Sequence, residues 1–178
     1  MKNSGKRFEE DFSKSVPSYC FIHRLKDSAQ SYNNSRNTRF TWDNPCDFFL
    51  YDSISHLLYP IECKTTKYKS MSVQLCKDDE SSKMIKFHQI NSLNKMSEYD
   101  GIVAGFFFNF RHFEGEENYL ETTYFQKIED FQNMMKNINK KSFNELDLLT
   151  NNATKISGSK KRTRYSWNID EFLKLNHG

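Results

Sequence analysis

The spacing of apolar residues changes several times along this chain, and each change marks an element. Phe8 and Phe12, four apart, draw the buried stripe of a first helix over residues 6–15, which Pro17 ends. Strands are predicted at Cys20–Arg24, 46–52 and 57–63, and the turn Asp52-Ser53-Ile54-Ser55 joins the last two as an antiparallel hairpin. Ile85, Phe87 or Ile90, Leu93 and Met96 recur at helical spacing, so a second helix is expected over residues 83–98. The segment 101–110, GIVAGFFFNF, is the most apolar of the chain and reads as a central strand. Residues 119–125 alternate like an outer strand, and Ile128–Ile138 carries Phe131, Met134 and Met135 on one helical face. A short helix is expected over residues 143–149, and a strand followed by a final helical turn over 165–175. The order predicts an α/β fold, a sheet flanked by helices.

Three charged residues stand at the ends of these apolar runs. Asp47 immediately precedes Phe48-Phe49-Leu50-Tyr51, and Glu62 and Lys64 close the run Leu57-Leu58-Tyr59-Pro60-Ile61. Residues two apart on a strand share a face, so Glu62 and Lys64 point one way and Cys63 the other. Asp47 on the paired strand can project beside them. A lone Glu-x-Lys is common and reads most simply as an ion pair on a solvated edge strand. Charges at the ends of core strands carry a packing cost that a solvated face avoids. Two carboxylates and an ammonium on one patch are expensive unless a divalent cation or a phosphate shares the charge. Metal-dependent hydrolysis of a phosphodiester uses that inventory.

Asn44-Pro45-Cys46-Asp47, followed fifteen residues after Asp47 by Glu62-Cys63-Lys64, resembles the motif of the PD-(D/E)xK nuclease superfamily. Two further features bring it close to the RecU-like Holliday junction resolvases of that superfamily. Gly5-Lys6-Arg7-Phe8-Glu9 resembles the Gly-x-x-x-Glu start of their first helix, whose glutamate reaches the metal site. His88-Gln89 resembles the pair on the helix after the Glu-x-Lys strand, whose glutamine helps to coordinate Mg²⁺. Glu9 has a second reading, as a first-turn acid complementing the helix dipole, and Gln89 one as a surface or packing amide. The resemblance covers residues 5–110. It implies a mixed central β-sheet flanked by helices, a restriction-endonuclease-like core. It also implies Asp47 and Glu62 as metal carboxylates, Lys64 stabilising the transition state, Gln89 completing the metal shell, and Glu9 assisting catalysis. Mg²⁺ is the implied cofactor, with Mn²⁺ able to substitute, and no nucleotide cofactor is implied. The implied partners are branched or duplex DNA and a second copy of the chain, since resolving a four-way junction takes two symmetric incisions. One departure stands out: RecU-like enzymes commonly carry a threonine two residues before the aspartate, where this chain has Pro45, so Pro45 receives no ligand role.

Length and composition fit one domain over residues 1–178, which the resemblance implies is a nuclease domain. Hydrophobic residues make up only 37%, but sixteen Phe and nine Tyr supply large buried areas. No apolar run is long enough to span a membrane, and Met1-Lys2-Asn3-Ser4 has no apolar signal region, so a cytoplasmic protein without a membrane partner is expected. Cys20, Cys46, Cys63 and Cys76 form no C-x-x-C pair, which argues against zinc, and Cys46 and Cys63 are expected to face the core. His88 is read as packing rather than touching DNA.

The net charge of +3 hides an uneven distribution. Residues 23–39 hold Arg24, Lys26, Arg36 and Arg39 against one acid, and Lys155, Lys160, Lys161, Arg162 and Arg164 follow near the other end. Most charge runs are solvated loops. Beside a nuclease motif, these two Ser/Asn-rich basic loops, 23–39 and 155–164, are expected to follow a phosphate backbone.

Overall fold

The computed structural model describes residues 4–25, 44–79, 81, 83–114 and 118–175, the side chains at 113, 114, 118 and 119 excepted. Among these residues the elements are α1 (Ser4–Ser15), β1 (Cys20–Arg24), β2 (Phe48–Asp52), β3 (Leu57–Thr66), β4 (Ser70–Ser72), α2 (Phe87–Ser97), β5 (Gly105–Glu114) and β6 (Asn118–Lys127). They continue with α3 (Ile128–Ile138), β7 (Ser142–Asn144), α4 (Glu145–Leu149), β8 (Thr154–Ile156), β9 (Gly158–Lys160), β10 (Tyr165–Trp167) and α5 (Ile169–Leu175).

A six-stranded sheet in the order β1-β2-β3-β5-β6-β8 forms the centre. All neighbours are antiparallel except β3 and β5, which run parallel with Ile61 opposite Gly105. A parallel pair needs a crossover, and α2 lies within it. The fold is therefore α/β with a mixed central sheet flanked by helices, as expected.

Aromatic residues fill both faces of the sheet, because successive β5 side chains alternate sides. Phe106, Phe108 and Phe110 face α2, α3 and the β4–β7 pair, packing with Ile90, Leu93, Phe131 and Phe143. Phe107 faces the other way into a cluster with Phe12, Phe125 and Phe172, beneath α1 and α5. Gly105 opens β5 where a Cβ would run into the Gln126 carbonyl and the Phe125 ring, so only glycine fits this crossing.

The buried carboxylate of Asp52 shapes the β2–β3 hairpin, accepting from the Ile54 amide at 3.0 Å and the Ser55 hydroxyl at 2.6 Å. His56 completes the turn at φ 60°. At the other end of the chain, Asp11 of α1 is buried and accepts the Tyr165 amide at 3.1 Å, which ties the first helix to β10.

Several boundaries differ from expectation. Helix two starts at Phe87 rather than 83, because Ile85 is instead bridged to Val73. The strand expected to be outer, 119–125, is covered at one end, since β8 pairs with residues 123–125 of β6. The stretch 143–149 is a strand residue pair followed by α4, because Met71 opposite Phe143 draws Ser142–Asn144 into pairing with β4. The basic stretch 155–164 is only partly loop, since β8 and the β9–β10 hairpin occupy much of it. Among the described residues no helix is long and apolar enough to cross a membrane.

Candidate active site

The candidate site lies where β2 and β3 part. Phe48 opposite Ile61 is the last pair of their ladder, yet β3 continues beside β5 as far as Thr66 opposite Phe110. Asp47 sits at this fork. Its amide donates to the Ile61 carbonyl at 3.0 Å, and its carbonyl accepts from Leu25 at 2.8 Å. Its carboxylate Oδ2 accepts the Cys63 amide at 2.7 Å, taking the place of the next ladder partner. A side chain used in this way is fixed in one direction by the backbone of the neighbouring strand.

Glu62 and Lys64 share a face of β3, as the strand period requires. Lys64 Nζ lies 2.8 Å from Glu62 Oε1, and Glu62 is only 4% exposed. The same oxygen accepts from Gln89 Nε2 at 2.5 Å. Gln89 occupies the third position of α2, where its Oε1 accepts the Lys86 amide at 3.0 Å and caps the helix start. The amide thus turns its nitrogen to the carboxylate and its oxygen, the atom able to bind a cation, to the helix terminus. Rotating the amide would exchange the two.

Glu9 approaches from α1. It lies in the second turn, and the first turn of α1 has no acidic residue, so the helix-dipole reading does not hold. Glu9 Oε2 receives Arg24 Nη2 at 2.6 Å and Nε at 2.8 Å. A cleft of about 330 Å³ opens beside this pair, lined by Lys6, Glu9, Lys14, Arg24 and Phe48.

The electrostatics of the fork follow from this crowding. Burial, then the charge of Glu62, pushes Asp47 up from 3.8 to about 7; the charge of Glu9 adds to the rise, and the Cys63 amide and Lys64 oppose it. Cys46 is pushed up to about 12 by burial and by Glu62, and Cys63 well above its ordinary value by burial and the nearby carboxylates. Both are buried, as expected, and both remain thiols. The donors on offer are therefore hard oxygens, suited to a hard divalent cation and poorly suited to a thiolate-bound metal. Among the described residues no group of three or more His, Cys, Asp or Glu could hold a metal. Asp47 and Glu62 are the pair whose mutual repulsion a bound divalent cation would relieve.

Of the remaining expected residues, Lys26, Arg36 and Arg39 lie outside the described residues. Arg24, expected on DNA, spends its guanidinium on Glu9, and Arg164 lies 3.2 Å from Glu10 and 3.5 Å from Asp11. In the sequence only their charge marks them, and the acids facing them come from α1, which sequence spacing could not reveal. Lys155, Lys160, Lys161 and Arg162 are exposed. His88 is exposed too, so the packing reading fails.

No family model matches the chain. The chain is 28% identical over 181 residues to an uncharacterised SPbeta prophage-derived protein of Bacillus subtilis (strain 168), YotM, covering 95% of this chain and 84% of that protein. Among solved structures it is similar to Hjc of Archaeoglobus fulgidus, a Holliday junction resolvase from an archaeal hyperthermophile. That similarity covers 82% of this chain and 93% of the archaeal one, with 14% identity and a TM-score of 0.47.

Proposed function

We propose that this chain is a Mg²⁺-dependent, structure-selective DNA endonuclease that resolves four-way junctions by paired phosphodiester hydrolysis. The observation that carries the reading is the fork itself. Asp47, Glu62 and Lys64 meet where two core strands separate, and Asp47 is held near neutrality by burial and by Glu62. Their order and spacing are those of the nuclease motif.

In this reading Asp47 and Glu62 hold the cation. Bound there, Mg²⁺ supplies Lewis-acid polarisation of the scissile phosphate and a lowered pKa for water. Lys64 donates from its compact ammonium to the attacking water and to the charge growing on the phosphoryl oxygens. Water attacks phosphorus in line with the leaving oxygen, losing its proton to solvent, and the P–O bond breaks as the new one forms, the leaving oxygen taking a proton from solvent. Gln89 holds Glu62 in place through Nε2, and an amide rotation would bring Oε1 to the cation. Arg24 keeps Glu9 directed beside Asp47. Two incisions on one junction require two sites, so the working form is a homodimer.

The test is incubation of the protein with a labelled four-way junction and a linear duplex of the same sequence, with Mg²⁺ and with chelator. Paired symmetric nicks on the junction, dependent on Mg²⁺ and far weaker on duplex, are expected. Equal cutting of both substrates would point to a duplex nuclease of the same superfamily. Binding without cutting would point to a non-cleaving relative.

A further inference from the structure

The strand that carries Glu62 and Lys64 leads directly into a short, exposed turn, Lys67-Tyr68-Lys69, that no part of the proposed chemistry uses. Both its ends are anchored. Thr66 is 2% exposed, and its hydroxyl accepts the Tyr68 amide at 3.0 Å. On the far side β4 begins at once, with Met71 fully buried opposite Phe143. Between these anchors the Tyr68 ring stands 66% exposed, and Lys67 Nζ lies 5.5 Å from its centroid. Lys67 and Lys69 are exposed as well. From Cys63 to Lys77 the chain contains Lys64, Lys67, Lys69 and Lys77 and no acid.

An aromatic ring held out between two lysines on an anchored turn has the makings of a single-strand contact: a stacking surface for a base, with cations for the phosphates beside it. The position suits it. Four residues of chain reach at most about 14 Å, so Tyr68 lies within about four nucleotide steps of Lys64. The bases of an intact duplex are stacked on one another and offer no face to such a ring. A branch, a gap or a single strand does.

We propose that Lys67-Tyr68-Lys69 is a nucleic-acid contact in which Tyr68 stacks on an unpaired base near the cleavage point and the two lysines bind the adjoining phosphates. This rests on the nuclease reading, and supplies that site with a physical preference for unstacked DNA.

The test is equilibrium binding in chelator to a single strand carrying 2-aminopurine, to a four-way junction and to a linear duplex, with cleavage assayed separately in Mg²⁺. Tyr68→Ala should weaken single-strand and junction binding about 5- to 150-fold, abolish the quenching of 2-aminopurine fluorescence, and leave duplex binding unchanged. Tyr68→Phe should retain both the affinity and the quenching. The double variant Lys67→Gln, Lys69→Gln should bind all three DNAs more weakly, its duplex salt slope reduced by about 1.8. Parental affinity and quenching in Tyr68→Ala, in a protein that still cuts DNA, would overturn this inference and leave the nuclease reading standing. A parental protein that binds none of the three DNAs would overturn both. An equal loss on single strand and duplex, not restored by Tyr68→Phe, would also overturn it, since stacking on an unpaired base predicts neither.

Discussion

Asp47 is the residue on which the site turns, and its protonation can be read without any substrate. In the folded, metal-free protein it titrates at about 7, against 3.8 for an ordinary aspartate. Between those values the native state keeps a proton that the unfolded chain has already released. Its contribution to stability is therefore full below about 3.8, falls as pH rises, and levels off above about 7. Asp47→Asn keeps an oxygen for the Cys63 amide and loses the titration. Melting the two proteins in chelator across this range should show the variant gaining on the parent up to about pH 7 and no further; a constant difference would contradict the assignment. Mg²⁺ should then raise the parent's melting temperature above pH 7 and leave the variant's nearly unmoved, since a ligand stabilises only the state that binds it. Asp47→Asn and Glu62→Gln should each abolish cleavage while DNA binding survives, as gel-shift and nicking assays on one preparation would show. Lys64→Ala should depress turnover strongly with metal affinity nearly intact, and Lys64→Arg should rescue poorly, because a planar fork replaces a compact charge.

Among the elements, α1 does two jobs through adjoining sides of one helix. Its inner side, Phe8 and Phe12, packs on the sheet, and Asp11 joins Arg7, Arg164 and the Tyr165 amide. Its neighbouring side presents Glu9 to the fork. Asp11→Ala leaves the buried Tyr165 amide without its acceptor, while Arg7 keeps Glu121 and Arg164 keeps Glu10, and should cost about 1 to 3 kcal/mol, measured by chemical denaturation. The loss of docking should also lower cleavage, although Asp11 is not at the fork. The start of β5 is equally constrained: Gly105→Ala should cost about 1 to 3 kcal/mol through overpacking against Gln126 and Phe125.

For the whole molecule, the expectations concern assembly and charge. A junction resolvase should be dimeric at working concentration, which sedimentation equilibrium would establish; a monomer would favour simple nicking of duplex. With Arg24 and Arg164 already paired to acids, charge removal at Lys161 and Arg162 should lower the salt slope more than removal at Arg24 and Arg164. Arg24→Ala should instead act on catalysis by releasing Glu9, and single-turnover rates on saturated complex would separate that effect from weaker binding.

Local pattern was enough to place most elements and to pick out the acids. Strand alternation put Glu62 and Lys64 on one side and Cys63 in the core, and helical spacing found Ile128–Ile138 to the residue. These are short-range properties, set by backbone geometry within a few residues. Long-range contact decided what the residues meet. Pairing with β4 drew residues 143 and 144 out of the expected helix, and β8 covered residues 123–125 of the strand expected to be outermost. Only the folded chain showed that Gln89 caps α2 with its oxygen while clamping Glu62 with its nitrogen. The same is true of Arg24 and Arg164, whose acids lie on a helix 15 and 154 residues away in sequence. A charge in sequence has a sign and no neighbours. Its work is determined by the opposite charge that folding places beside it, and by the water that folding removes.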